Sequence, residues 1–141
     1  MSAPRARIVF AGGGTGGHLY PALAVVEALR ALPSSPEVLF LGSVRPLERR
    51  LLGAAGQQHL ALPTAPWPGA RRLHQGVRFL SSQLKGVRAA RRVLSEFEPQ
   101  VVVGLGGFPS VGPVLAARSL KIPAALLEPS RSMKRPNSTS L

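Results

Sequence analysis

Five short apolar runs constrain the fold of this 141-residue chain more than any other feature of its sequence. They are RIVFA, EVLFLGS, QHLALP, VVVGLGG and IPAALLE, which begin at residues 7, 37, 58, 101 and 122. Strands buried on both faces of a parallel sheet are nearly continuously apolar, and helices connect them. The runs therefore predict an α/β fold, namely a Rossmann-like parallel sheet with helices on both faces.

The stretches between these runs have helical character. We predict helices over residues 18–32, 46–55, 73–97 and 113–120. In the first and third of these stretches, apolar residues recur at spacings of three and four, as on one face of a helix. Pro33 and Pro99 end these two helices, and a break is predicted near Gly86.

Glycine clusters follow two of the predicted strands. The first run leads into FAGGGTGGHLYPALAV, which holds five glycines, and the fourth leads into Gly106 and Gly107. In such a sheet, ligands bind beyond the carboxyl ends of the strands, where loops meet helix N-termini. Glycines let the backbone approach a ligand closely, and the N–H groups at the start of a helix attract anions. We therefore predict a phosphate loop formed by Gly12, Gly13 and Gly14.

Other interpretations of the first glycine cluster compete with this one. Gly12, Gly14 and Gly17 fit the dinucleotide motif G-x-G-x-x-G, but the second apolar run ends without the acid that this motif needs for a ribose. The Walker motif fails because His18 and Leu19 stand where Lys and Ser or Thr belong. His18, in the first helical turn, could exchange a proton with a ligand. A tight strand-to-helix turn with His18 merely exposed remains open.

The chain is strongly basic, with 18 Lys and Arg against six acidic residues and a formal net charge of +12. Such a surface favours anionic partners, such as nucleic acid, acidic lipid or phosphorylated substrates. Within the third predicted helix and just before it, a basic set surrounds an apolar stripe; the basic residues are Arg71, Arg72, Arg78, Lys85, Arg88, Arg91 and Arg92, and the stripe is Leu73, Val77, Leu80, Leu84 and Val87. The stripe is expected either to pack on the sheet or to belong to a face for membrane or nucleic acid.

The composition gives no support for a metal site or for redox chemistry. The chain has no cysteine and three scattered histidines, so neither a disulfide framework nor a metal site is predicted, and no cofactor is expected. No run approaches the ~18 apolar residues of a transmembrane helix. The first apolar run is too short for a signal peptide, so we expect a cytoplasmic protein.

Two segments together resemble the amino-terminal domain of the MurG family. They are GGGTGGHLYPALAVVEAL from residue 12 and VVVGLGGFPSVGPVLAARSLKIPAALLE from residue 101. These bacterial enzymes transfer N-acetylglucosamine from UDP-N-acetylglucosamine to the undecaprenyl-pyrophosphoryl-muramyl-pentapeptide in peptidoglycan synthesis. The resemblance covers residues 7–128. It implies the amino-terminal half of a glycosyltransferase-B architecture, in which the active site lies between two Rossmann-like domains.

The resemblance also implies roles for individual residues. His18 matches the catalytic histidine near the transferred sugar. The positions that contact the donor's sugar and diphosphate are Thr15, Gly16 and Gly17. Those that face the pyrophosphate of the acceptor are Gly106, Gly107 and Phe108.

A peripheral site on the cytoplasmic face of the plasma membrane is the location that the resemblance implies, since the acceptor is a lipid. The expected membrane-facing residues are Trp67, Arg71, Arg72, Leu73, Arg78 and Phe79. Basic residues near acidic lipid each contribute about 1 kcal/mol, and tryptophan favours the interface. Nucleic acid is not an expected partner, because few aromatic residues lie among the arginines.

The chain departs from the family pattern after its fifth apolar run. The family has H-E-Q-N there, whose asparagine contacts the donor sugar. This chain has Leu127, Glu128, Pro129 and Ser130, so the resemblance makes Ser130, in the place of the asparagine, the candidate substrate-binding residue here. We therefore expect one domain over residues 1–128 and an off-pattern, disordered tail over residues 129–141. The donor-binding domain is expected to be absent.

Two explanations of that absence stay open. The chain is either a truncated product, inactive alone, or one half of a transferase whose second domain is a separate chain. An alternative function is a non-catalytic basic module that binds anionic membrane lipid. A dinucleotide-dependent oxidoreductase is disfavoured by the absent ribose-binding acid.

Overall fold

The computed structural model describes residues 4–13, 16–63 and 76–128 of the chain. The elements are β1 (Arg7–Ala11), α1 (Gly16–Arg30), β2 (Glu37–Gly42), α2 (Pro46–Ala54), β3 (Gln58–Ala61), α3 (Gly76–Phe97), β4 (Val101–Gly104), α4 (Phe108–Ser119) and β5 (Ala124–Leu126). Strands and helices alternate throughout these residues, as the apolar runs predict.

The five strands form one parallel sheet in the order β3-β2-β1-β4-β5. Val9 in β1 stands opposite Leu39 in β2 on one side and opposite Val102 in β4 on the other. The strand order therefore reverses between β1 and β4. In open α/β sheets, that reversal opens a crevice at the carboxyl ends of the two strands, where ligands bind.

Alternating side chains divide the sheet into two apolar faces. Val9 and Leu39 belong to a buried cluster that includes Leu94 of α3 and Ala116 of α4. The side chains that alternate with these along β1 and β2 point the other way, toward α1 and α2. There Phe10 and Phe40 pack with Leu19, Val26 and Leu52. The rings of Phe10 and Phe40 stack with centroids 5.2 Å apart. The prediction of helices on both faces is therefore confirmed.

Helices α3 and α4 differ from their predicted forms because both use glycine for packing. Helix α3 continues through Gly86, where a break was expected, and α4 begins at Phe108 rather than Pro113. A Cβ atom on Gly112 would lie 3.3 Å from the carbonyl carbon of Gly86. The two backbones therefore touch, and Gly86 allows this close approach instead of ending the helix.

The apolar stripe of α3 does not pack on the sheet over its first turns. The exposed fractions of Val77, Leu80 and Leu84 are 76%, 61% and 54%. The helix instead buries Gly86, Ala90 and Leu94. At about 100° per residue, these three lie on a face roughly a quarter to a third of a turn away from the stripe. Of the two alternatives for the stripe, packing on the sheet therefore does not hold for Val77, Leu80 and Leu84, because the close contact with α4 fixes which face of α3 turns inward.

Smaller differences concern the ends of elements. Helix α1 begins at Gly16, two residues before its predicted start, and β3 ends at Ala61. Strand β5 is three residues long, and all three are exposed. Leu73, at the start of the predicted stripe, lies outside the described residues, as does the segment over residues 129–141.

Gly112→Ala is expected to destabilise the fold by about 1–3 kcal/mol, because the added methyl group meets backbone atoms of α3. Gly53→Ala is the matched control, since a Cβ atom there meets nothing within 4 Å. The higher helix propensity of alanine should stabilise this control by up to about 1 kcal/mol. Urea unfolding followed by circular dichroism measures both changes. Equal effects would contradict a close contact between α3 and α4.

Candidate functional site

Two glycine turns meet at the carboxyl ends of β1 and β4. The first glycine turn holds Gly12 and Gly13, and the second holds Gly106 and Gly107. A Cβ atom on Gly12 would lie 2.8 Å from the carbonyl oxygen of Gly106, and one on Gly107 would lie 3.7 Å from the carbonyl oxygen of Gly13. Gly12, Gly13, Gly106 and Gly107 all have positive φ angles, of 119°, 138°, 89° and 76°. Side chains rarely tolerate that region, so glycine is required at this contact. The two turns form one continuous backbone surface.

His18 lies above this contact. It stands in the first turn of α1, half-buried, and its Nε2 atom is 3.5 Å from the position of a Cβ atom on Gly106. The imidazole of His18, carried by the first turn of α1, therefore reaches the second glycine turn. Gly16 and Gly17 begin α1 and present the N–H groups of a helix N-terminus beside it. Gly14 and Thr15, which were predicted to contact the ligand, lie outside the described residues.

Ser110 fixes the second turn, and sequence reasoning missed it. Its backbone N–H and its hydroxyl both donate to the carbonyl oxygen of Gly107, at 3.2 Å and 2.7 Å. Ser110 is buried, and its Cβ lies 3.1 Å from the position of a Cβ atom on Gly12. A serine in the first turn of a helix, directly after Gly-Gly-Phe-Pro, was the available signal.

Glu48 lies beneath the first turn and was also missed. Its side chain is fully buried, and its carboxylate accepts hydrogen bonds from the backbone N–H and the hydroxyl of Ser43, each 2.8 Å long. A Cβ atom on Gly13 would lie 2.8 Å from Glu48 Oε1. An acid therefore does lie near the end of β2, but it faces the protein interior. It is not presented to a ribose, which weakens the dinucleotide interpretation further.

His59 in β3 completes this buried polar group. Its Nε2 atom lies 3.6 Å from Glu48 Oε2, which is too long for a hydrogen bond. Burial lowers the pKa of His59 below its ordinary value, the nearby Glu48 carboxylate opposes that shift, and Arg49 adds to it. The imidazole is therefore held preferentially in its neutral form.

Two phenylalanine rings connect the second glycine turn with helix α3, which carries many of the basic residues. The ring of Phe79 in α3 meets the ring of Phe108 edge-on, with centroids 5.6 Å apart. Phe108 is the first residue of α4, next to the second glycine turn, and 46% of it is exposed. Arg78, beside Phe79, is exposed on α3. Other predicted site residues lie outside the described part of the chain: Trp67, Arg71, Arg72, Leu73 and Ser130.

The chemistry available here is that of backbone N–H groups and one imidazole. Among the described residues there is no group of three or more His, Cys, Asp or Glu side chains that could hold a metal ion. None of the described helices combines the length and the hydropathy needed to traverse a bilayer. A helix N-terminus can stabilise negative charge, and an imidazole can accept a proton, so the site suits transfer of a group from a phosphorylated donor.

Comparison with known proteins gives a consistent match. The family model of the glycosyltransferase family 28 N-terminal domain matches residues 8–138. The chain is similar to the UDP-N-acetylglucosamine–N-acetylmuramyl-(pentapeptide) pyrophosphoryl-undecaprenol N-acetylglucosamine transferase of Halothermothrix orenii, with 43% identity over 125 residues, covering 86% of this chain and 32% of the relative. The corresponding protein of Magnetococcus marinus is 44% identical over 127 residues, covering 90% and 34%. The chain thus spans about a third of the length of the curated relatives it matches.

Solved structures show the same relationship. The crystal structure of Acinetobacter baumannii MurG superposes with a TM-score of 0.68 at 28% identity, covering 87% of this chain and 33% of that one. The calicheamicin glycosyltransferase CalG4 superposes with a TM-score of 0.61 at 21% identity, covering 88% and 32%. The second likeness supports the fold alone.

Acidification is expected to destabilise the fold through His59. Because its pKa is lower in the folded chain than the ordinary 6.5, the unfolded chain takes up the proton first as the pH falls. This contribution to stability is complete above pH 6.5, declines as the pH drops through that value, and levels off below the folded pKa. His59→Gln should therefore flatten the dependence of Tm on pH between about 7.5 and 5. An unchanged slope in the variant would contradict this assignment.

Proposed function

Because the chain belongs to glycosyltransferase family 28, whose N-terminal domain it matches over most of its length, we propose that it is the acceptor-side domain of an N-acetylglucosaminyltransferase of peptidoglycan synthesis. The reaction transfers N-acetylglucosamine from UDP-N-acetylglucosamine to the lipid-linked muramyl-pentapeptide. The observation that carries the proposal is the contact between the two glycine turns, with His18 above it.

The proposed chemistry follows from the groups at this contact. The bond between the sugar's anomeric carbon and the UDP oxygen breaks, and the acceptor hydroxyl oxygen forms the new bond to that carbon. UDP leaves with the bonding electrons, so negative charge develops on its diphosphate. Helix N-termini stabilise such charge, and the imidazole of His18 takes the proton of the acceptor hydroxyl.

The two turns divide the ligands between them in this proposal. Thr15, Gly16 and Gly17 serve the donor's sugar and diphosphate. Gly106, Gly107 and Phe108 serve the pyrophosphate of the acceptor. Since the chain spans about a third of its curated relatives, the uridine end of the donor is held by a part outside this sequence, in the same polypeptide or in a separate chain.

The exposed stripe of α3 supports attachment to a membrane. Val77, Leu80 and Leu84 are exposed apolar residues, and exposed Arg78 and Lys85 lie on the same helix. Apolar side chains beside cations suit the boundary between anionic headgroups and acyl chains. We propose that this face docks on the cytoplasmic surface of the plasma membrane.

The position of the stripe fits the acceptor. A lipid-linked acceptor carries its pyrophosphate directly on the lipid, so the pyrophosphate site must lie close to the membrane surface. The contact between Phe79 and Phe108 brings α3 against the second glycine turn. This proximity favours membrane docking over nucleic-acid binding as the use of the basic helix.

His18→Ala should lower kcat for N-acetylglucosamine transfer by ~10²-fold or more, as expected for loss of a positioned proton acceptor. The assay uses a fusion of residues 1–128 to the carboxy-terminal two thirds of the Magnetococcus marinus relative, with UDP-N-acetylglucosamine and the lipid-linked acceptor. The 141-residue chain alone should give little transfer. Arg30→Ala, at the other end of the same helix, is the control and should keep near-normal turnover and Tm.

Two outcomes would contradict the proposal. Near-normal turnover in His18→Ala would remove the histidine from the chemistry. A folded fusion without transfer, combined with intact vesicle binding, would favour the non-catalytic lipid-binding module instead.

Replacing Val77, Leu80 and Leu84 together by Ser should reduce binding to vesicles of 30% anionic phospholipid by about 10-fold or more, since each exposed apolar side chain contributes roughly 1 kcal/mol or more on burial. Co-sedimentation measures the binding, and circular dichroism should show an unchanged fold because the three side chains are exposed. Arg78→Gln with Lys85→Gln should weaken binding at low salt only, because salt screens exposed charges. Binding of duplex DNA that exceeds vesicle binding would contradict the membrane assignment.

A further inference from the structure

Glu48 is a buried carboxylate that the proposed chemistry leaves unused. It lies in the first turn of α2 and is 0% exposed. Removing a carboxylate from water costs several kcal/mol unless hydrogen bonds and favourable charges offset the loss. The groups that surround the carboxylate therefore indicate which parts of the structure it stabilises.

The two carboxylate oxygens lie between the end of β2 and the first glycine turn. Oε2 accepts from the backbone N–H of Ser43, and Oε1 accepts from the hydroxyl of Ser43. A Cβ atom on Gly13 would lie 2.8 Å from Oε1, and one on Gly42 would overlap Oε2. The carboxylate thus occupies the space that side chains on both glycines would fill.

We propose that Glu48 is a positioning residue of the ligand site, which fastens the first glycine turn to the end of β2. This inference rests on the proposed function, because it concerns the turn that serves the ligands. Gly13 lies three residues before α1, so its position sets the direction in which the helix N-terminus points. Through that helix, Glu48 also sets the position of His18 over the second turn.

The negative charge of Glu48 makes the sign of its effect on anion binding informative. Buried beneath the turn, the carboxylate repels an anion bound above it, and repulsion alone would make binding stronger once the charge is removed. A positioning role has the opposite consequence, because a displaced helix N-terminus binds the anion less well. The two effects are therefore distinguishable in one variant.

Glu48→Gln tests the charge while keeping the shape. The amide oxygen can accept from the N–H of Ser43, and the amide N–H₂ can donate to its hydroxyl oxygen, which has free acceptor capacity. Ser43→Ala is the second variant, since it removes one donor and keeps the carboxylate. Glu27→Gln removes the same charge from an exposed position on α1 and is the matched control.

Hydrogen exchange in the 141-residue chain reports on the turn directly. The N–H of Gly12 donates to the carbonyl of Leu41 at 2.8 Å, beside the turn, whereas that of Gln100 donates to the carbonyl of Arg7 at 2.9 Å, at the amino ends of the central strands β1 and β4. In Glu48→Gln, exchange at Gly12 should accelerate by about 10-fold or more, because the charge-assisted hydrogen bonds from Ser43 that hold the side chain beneath the turn become weaker. Exchange at Gln100 should change by less than about 2-fold, as should both sites in Glu27→Gln.

Equal acceleration at Gly12 and Gln100 would show a general loss of stability and overturn the proposal, and unchanged exchange at Gly12 would overturn it as well. If Glu48→Gln does not fold, the Ser43→Ala variant provides the test, with a smaller acceleration expected at Gly12 only. Faster exchange at Gly12 with unchanged exchange at Gln100 in this variant supports the proposal, and the absence of that difference overturns it.

Titration with inorganic pyrophosphate, followed through the amide resonances of Gly16 and Gly17, gives the second measurement. Affinity in Glu48→Gln should fall several-fold, whereas tighter binding would show that Glu48 acts only as a repelling charge and would overturn the proposal. If the wild-type chain binds no pyrophosphate, the anion-binding role of the turn fails, and the exchange data still decide the role of Glu48.

Discussion

The contact between the two glycine turns is the constraint on which the rest of the structure depends. A Cβ atom on Gly12 would stand 2.8 Å from the carbonyl oxygen of Gly106, so the two backbones approach each other more closely than any residue other than glycine would allow. Because β1 and β4 are neighbours at the reversal of strand order, this contact brings the starts of α1 and α4 together. The groups proposed to face a ligand are therefore placed by the backbone, which leaves little conformational freedom to lose on binding.

Close glycine packing recurs where α4 crosses α3, and it connects the turns with the exposed stripe. Gly112 rests on the backbone of Gly86, so α4 is held at its middle by α3. At its start, Phe108 meets Phe79 of the same helix. Two contacts along one pair of helices thus tie the second glycine turn to the exposed apolar face. The surface proposed to dock on lipid and the turn proposed to face the pyrophosphate of that lipid are then parts of one rigid unit.

The sequence predicts the strands and the glycine turns well, because apolar runs and glycine clusters are local signals. It predicts the inward face of α3 badly, because Val77, Leu80 and Leu84 repeat at helical spacing whether they meet a core or a membrane. The inward face follows from Gly86, whose role appears only when α4 lies against it. Glu48 is missed for a similar reason. Its charge and its exposed neighbours Arg49 and Arg50 predict a solvated side chain, and only the space left by Gly13 and Gly42 turns it inward.

The net charge of the chain and its backbone N–H donors contribute in different ways to the proposed site. A net charge of +12 raises the local concentration of anionic lipid and ligand over distances of about a Debye length, 8–10 Å at physiological salt, without fixing their orientation. Orientation requires donors at hydrogen-bond distance, which the helix starts after the two turns supply. The burial of Glu48 is consistent with both effects, because an exposed carboxylate at the same place would weaken the attraction of anions and their binding to the backbone donors. Because Glu48 is kept inside and bonded to Ser43, it can hold the turn, as proposed, without adding a carboxylate to the outer surface.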